Sequence, residues 1–168
     1  MIILGIDPGF AKTGYGVINA GGDRIAHITH GTVTTEPGLS PGGRLQIIYD
    51  KICEMAKTHG PGYAAVENLY FSKNISSAFP VAQARGVILL ALAQYQIDTR
   101  EYTPLVIKQS ITGSGRAGKR QVQELVRFLL SLQEIPKPDH ASDALAAAIC
   151  CYHMLTAETK LSNSGRDV

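Results

Sequence analysis

The sequence has little of what marks a membrane, secreted or disordered protein. It holds only three cysteines in 168 residues, Cys53 and the vicinal pair Cys150 and Cys151. That odd count and spacing suggest neither a disulfide framework nor a zinc motif. Small buried hydrophobes in a reducing cytoplasm are their expected use. No apolar run reaches membrane-spanning length, and the longest, around Gly86 to Ala93, is too short. The opening MIILGIDPG lacks a basic segment before its apolar stretch, so it is not expected to be a signal peptide. An excess of one charge is missing too. The formal net charge is +2, which excludes no partner, so local clustering has to decide.

What is present fits one globular domain. Hydrophobic residues make up 45% and charged residues 18%, ordinary values for a chain able to bury one sizeable core. No internal repeat or linker stands out. Residues 1–156 are expected to form the domain, and 157–168 a polar, frayed tail.

Ile2 to Ile6 is a short β-branched run closed by Asp7-Pro8-Gly9, which predicts a buried strand ending in a turn. Thr13 to Asn19, the turn Ala20 to Asp23, and Ile25 to Thr35 continue it as an antiparallel meander. Pro37 to Gly43 reads as a breaker-rich loop, and Arg44 to Thr58 carries a helical apolar stripe ended by His59-Gly60. Tyr63 to Glu67 is a fourth strand. Ser76 to Gln94 is a long helix with Pro80 expected near its first turn, and Ile97 to Tyr102 is a fifth strand. Thr103 and Pro104 open a short helix as N-cap and first residue. Lys119 to Leu132 and a last helix from the cap Asp139 to about Leu155 complete the order. A meander followed by strand–helix–strand crossovers predicts an α/β fold, a mixed five-stranded sheet with helices on both faces.

The acids fall at informative places. Asp7 and Glu67 each end a strand. If those strands are parallel neighbours, both carboxylates emerge at the sheet edge where α/β folds bind ligands. His140 and Asp143 lie three apart on the last helix and share a face. Hard divalent cations take oxygen ligands. Two such ions roughly 3.5–4 Å apart activate a water and stabilise the leaving oxygen of a phosphodiester. The plainer reading makes Asp7-Pro8-Gly9 a turn and Asp139 a cap, but an acid closing the buried strand Tyr63 to Val66 still needs a partner.

In order along the chain stand Gly5-Ile6-Asp7-Pro8-Gly9, Thr13-Gly14-Tyr15-Gly16-Val17, Val66-Glu67-Asn68, Ala82-Gln83-Ala84-Arg85-Gly86 and His140-Ala141-Ser142-Asp143-Ala144-Leu145-Ala146. This ordered set, from about Met1 to Tyr152, resembles the RuvC-type Holliday-junction resolvases. The resemblance implies a ribonuclease H-like fold, a homodimer, and metal-dependent nicking of four-way DNA junctions in recombination and repair. It implies Mg²⁺ or Mn²⁺, two per site, on Asp7, Glu67, Asp143 and His140. Many members carry an aspartate where this chain has His140. A softer, neutral imidazole suits Mn²⁺ better and can assist proton transfer. His140 is favoured over Asp139 because it keeps the three-residue spacing to Asp143. A branch-migration helicase is a further partner in view.

Lys108, Arg116, Lys119, Arg120 and Arg127 stand against the single acid Glu124, the best local candidate for phosphate contacts, although a solvated basic surface has the same look. The resemblance places Lys119 near the scissile phosphate and Lys108 on the backbone. Gly113 to Lys119 mimics a P-loop, but it follows a helix, and Arg120 stands where a Ser or Thr should bind Mg²⁺, so nucleotide binding is rejected. By themselves Phe71 reads as core and Tyr70, beside Lys73, as a half-buried surface ring; the resemblance implies instead that Tyr70 stacks on an unpaired base. The long helix has one stripe of mostly small residues, Ala78, Ala82, Gly86 and Leu90, and a second apolar stripe with Val81, Ile88 and Leu92, which with the resemblance predicts a two-fold dimer. A decayed junction-binding protein is one competing reading. Half of an actin-like ATPase or sugar kinase is the other, and 168 residues leave no room for its second domain.

Overall fold

The computed structural model describes residues 1–22, 24–68 and 75–164. Three strands come first, β1 (Ile2–Asp7), β2 (Lys12–Gly21) and β3 (Arg24–Thr34), then helix α1 (Pro41–His59) and strand β4 (Tyr63–Glu67). Helix α2 (Ile75–Gln94), strand β5 (Asp98–Tyr102) and helices α3 (Pro104–Thr112), α4 (Lys119–Leu129) and α5 (Asp139–Ser164) follow. The sheet order is β3-β2-β1-β4-β5. The first three strands pair antiparallel, while β4 runs parallel to β1 and β5 parallel to β4.

Each face of the sheet buries its own core, because alternate side chains of a strand point to opposite faces. Ile3, Ile18 and Ala65 pack with α5 residues such as Leu145 and Ile149 and with Ile107 and Val126 of α3 and α4. Leu4, Ile6, Val17 and Val66 pack with Ile48 and Ile52 of α1 and Ile88 and Leu92 of α2. The expected mixed sheet with helices on both faces is the observed one.

Several boundaries differ from the sequence reading. Helix α1 starts at Pro41, inside the run expected to be a loop, because Ser40 caps it by accepting a 3.2 Å bond from Gly43 N and Pro41 supplies a preset first residue. Pro80 lies inside α2 rather than in its first turn. Helix α4 stops at Leu129. Helix α5 runs on to Ser164 instead of ending near Leu155. The hydroxyls of Thr156, Thr159 and Ser162 satisfy themselves within that helix, each donating to the carbonyl four residues back at 2.8–2.9 Å. Asp139 is the first residue of α5, and its carboxylate turns away to Gln123 and Lys119.

Candidate active site

The register Ile6↔Val66 of the parallel pair β1 and β4 brings Asp7 and Glu67, the next residue of each, side by side at one sheet edge. The turn after Asp7 is fixed from within β2. Thr13, fully buried, donates from Oγ1 to Gly9 O at 2.6 Å and accepts from Gly9 N at 3.3 Å. Thr35 and Arg44 brace the same loop: Thr35 Oγ1 donates to Phe10 O at 2.6 Å and accepts from Arg44 Nε at 2.8 Å.

Helix α5 supplies the other half of the site by lying almost on the backbone of β1 and β2. A methyl built on Gly5 would stand 1.9 Å from Ala144 O, and one on Gly14 would stand 1.9 Å from His140 O. Only glycine admits a helix at that distance. The close seat brings His140 Nδ1 to 2.7 Å from Asp7 Oδ2. Asp143, one turn on, faces Lys119, whose Nζ lies 3.4 Å from Asp143 Oδ2 and 3.0 Å from Asp139 Oδ2.

Electrostatics follow from this crowding. Burial, with Asp7 and Asp143 nearby, pushes the Glu67 carboxyl up to about 7, against the pull of Lys108 and Lys119. Burial also raises Asp7, though the His140 hydrogen bond opposes it. Burial lowers the proton affinity of the Lys119 amine, but Asp139 and Asp143 outweigh that and leave it raised. Asp139 is held low by hydrogen bonds from Lys119 and Gln123.

Glu67, Asp143, Lys108 and Lys119 rim a cavity of about 230 Å³ whose apolar walls are Pro104, Ile107, Val122 and Ala146. Arg120 lines a separate groove with Arg127 and Lys137 and is paired with Glu124 at 2.9 Å. Arg116 lies exposed in the loop between α3 and α4. Tyr70, Phe71 and Lys73 lie outside the described residues. The donors are engaged in pairs, Asp7 with His140 and Asp143 with Lys119. Among the described residues, no three His, Cys, Asp or Glu side chains are gathered as a metal cluster.

Sequence reasoning missed the supports. Gln123 and Asp139 meet across 16 residues of chain and Gly14 and His140 across far more, so no local pattern announces them. The tight Thr13–Gly9 clamp had a trace in the sequence, a threonine four residues after the glycine of the turn.

A sheet of this order, with acids at the ends of β1 and β4 and on a helix laid across them, defines a ribonuclease H-like nuclease. The profile of crossover junction endodeoxyribonuclease RuvC matches residues 3–151. Similar proteins of that name include one from Pelotomaculum thermopropionicum, 49% identical over 96% of this chain and 98% of its own length. Another, from Treponema denticola, is 52% identical over 88% and 83%. Thermus thermophilus RuvC in complex with a Holliday junction substrate aligns with a TM-score of 0.90 and 31% identity, covering 95% of this chain and 97% of that one. The yeast mitochondrial Holliday junction resolvase, at 12% identity and a TM-score of 0.67, shares the fold. The chain belongs to the RuvC family of crossover junction endodeoxyribonucleases.

No helix among the described residues is long and apolar enough to cross a membrane. All three cysteines are free, Cys150 and Cys151 are buried, and burial pushes the Cys150 thiol up to about 11.

Proposed function

We propose that this chain resolves four-way junctions as a homodimer in the cytoplasm, each subunit cutting one of two opposed strands with the help of Mg²⁺ or Mn²⁺. The observation that carries this reading is the placement of two pairs, Asp7 with His140 and Asp143 with Lys119, at the sheet edge where Glu67 ends its strand beside Lys108. The junction-bound Thermus relative supports the substrate.

The donor set suits a hard cation. Burial first, and neighbouring acids second, raise the Glu67 and Asp7 carboxyls, and a divalent ion would offset that cost of holding them charged. Asp7, Glu67, Asp143 and His140 would hold it, and it would supply Lewis acidity that stabilises negative charge on the phosphate and favours deprotonation of the attacking water. The rest of the work belongs to the chain. A water oxygen forms the new bond to phosphorus, the bond to one ester oxygen breaks, the water proton is lost, and the leaving oxygen gains one. Lys119 places its ammonium where negative charge gathers on the phosphate, and Lys108, on the other rim of the cavity, contacts the backbone. Tyr70 and Lys73 are proposed to meet the opened bases, and Arg116 and Arg120 the junction arms.

The dimer is proposed through the outward face of α2. Ile88 and Leu92 of that helix are fully buried in the subunit, while Phe79 and Leu90, 65% and 55% exposed, point away from it with Gly86 between them.

The test compares a four-way junction, a Y-fork and linear duplex, with and without either cation, mapping nicks on both strands. Asp7→Asn is expected to keep junction binding and to stop cleavage. A variant that nicks junctions at the normal rate overturns the assignment.

A further inference from the structure

We infer that Asp139, itself held by Gln123, is a positioning residue that sets where the Lys119 ammonium stands beside Asp143. The inference rests on the nuclease reading above and assigns a role to two residues that the metal site does not use.

Gln123 is one of the few buried polar side chains among the described residues, 8% exposed within the face of α4 that packs on α5. A buried amide is costly unless it is bonded. Its Nε2 donates to Asp139 Oδ1 at 3.1 Å. The other oxygen of the same carboxylate, Oδ2, lies 3.0 Å from Lys119 Nζ, which in turn stands 3.4 Å from Asp143 Oδ2. A chain of contacts therefore runs from the core of α4 to an acid of the reaction site.

Lys119 needs such a tether. It is the first residue of α4, and the Gly118 cap before it makes no side-chain hydrogen bond. The segment leading to it contains Gly113, Gly115 and Gly118. A lysine side chain has many rotamers, so an untethered ammonium spends little time in one place. The same pair contributes little to stability. Lys119 and Asp139 are 53% and 65% exposed, and exposed ion pairs are weak. A contact that stabilises little but points a lysine at Asp143 acts through geometry.

His140 and Asp139 are neighbours with opposite duties on this account. His140 turns to Asp7 and joins the donors, while Asp139 turns to α4 and joins the lysine.

A double-mutant cycle on the full-length protein tests this, with single-turnover junction cleavage, junction affinity and Mn²⁺ affinity as the three readouts. Lys119→Met is expected to slow cleavage about 100-fold. Asp139→Asn, which keeps the shape and loses the charge, slows it about tenfold, with junction and Mn²⁺ affinities within about twofold of wild type. In the Lys119→Met background, Asp139→Asn has no further effect. Gln123→Leu gives a smaller loss of about threefold that also vanishes in that background, and it keeps the test open should one variant fold poorly. Independent, multiplicative losses would overturn the inference, as would Mn²⁺ binding weakened tenfold or more by Asp139→Asn, which would make Asp139 a metal ligand. So would unimpaired cleavage by Asp139→Asn. A wild-type protein that leaves four-way junctions uncut would take the nuclease reading down as well, which separates the two failures.

Discussion

Replacing Gly14 with alanine tests how far the site depends on the seat of α5. The new methyl would lie 1.9 Å from His140 O, 2.4 Å from His140 C and 3.0 Å from His140 Cβ. The obstacle is helix backbone, which cannot rotate aside as a side-chain tip can. Ordinary contact, at about 3.4 Å, is restored only if α5 retreats by roughly 1.5 Å at that point, and a misplacement of even about 1 Å at a reacting group costs on the order of 100-fold in rate. Overpacking adds about 1–3 kcal/mol of destabilisation. Gly16→Ala is the matched control. Its methyl meets the Leu145 side chain at 2.6 Å, a group two residues past Asp143, although Leu145 N at 3.1 Å limits the room. Gly14→Ala is expected to bind junctions and keep the far-ultraviolet circular dichroism of the fold while losing about 100-fold in single-turnover cleavage. Gly16→Ala loses stability with a much smaller loss of rate. Equal rates for Gly14→Ala and wild type, with the fold intact, would refute the argument that the glycine sets the His140–Asp7 distance.

Two other perturbations follow from the charge and the surface. Glu67 is pushed from 4.5 up to about 7 in the folded protein, so its share of stability is full below pH 4.5 and is lost as pH rises through about 7. The thermal midpoint of metal-free wild type is therefore expected to fall relative to that of Glu67→Gln between about pH 5 and pH 8, and Mg²⁺ to restore it; a constant difference across that range would contradict the buried-carboxylate argument. Leu90→Glu, at an exposed position on the outward face of α2, is expected to shift the particle mass from dimer to monomer in light scattering and to uncouple the paired nicks. A Leu90→Glu protein that remains dimeric would move the interface elsewhere.

Much of this fold was legible because its elements are locally consistent. Ile2 to Ile6 is β-branched and ends in Asp7-Pro8-Gly9, so both the strand and its end were readable. The parallel pairing of β1 and β4 entered the sequence reading only as a condition for their two acids to share an edge, and the structure shows it. Boundaries were lost where one residue serves two grammars. Pro41 looked like a breaker and is the first residue of α1, because Ser40 before it caps the helix. Thr159 and Ser162 looked like part of a frayed tail and bond to their own helix. Composition reports polarity, and polarity does not distinguish an exposed helix from a loose end.

Site residues divide along the same line. Asp7, Glu67, His140 and Asp143 were nominated as site residues from residue type and place, an acid at the end of a buried strand or two donors three apart on a helix, together with the family resemblance. What holds them in place had no such signal, because it lies in contacts between distant parts of the chain. Gly14 is ordinary in a strand until a helix backbone settles on it, and Asp139 is an ordinary helix start until Gln123 reaches it from α4. The division has a physical cause. A reacting group must be one of a few residue types, so sequence can name it. A support needs only a shape and one hydrogen bond, which several residue types supply, so it becomes visible once the partner stands beside it. The supports are therefore where substitutions should alter rate while sparing junction affinity.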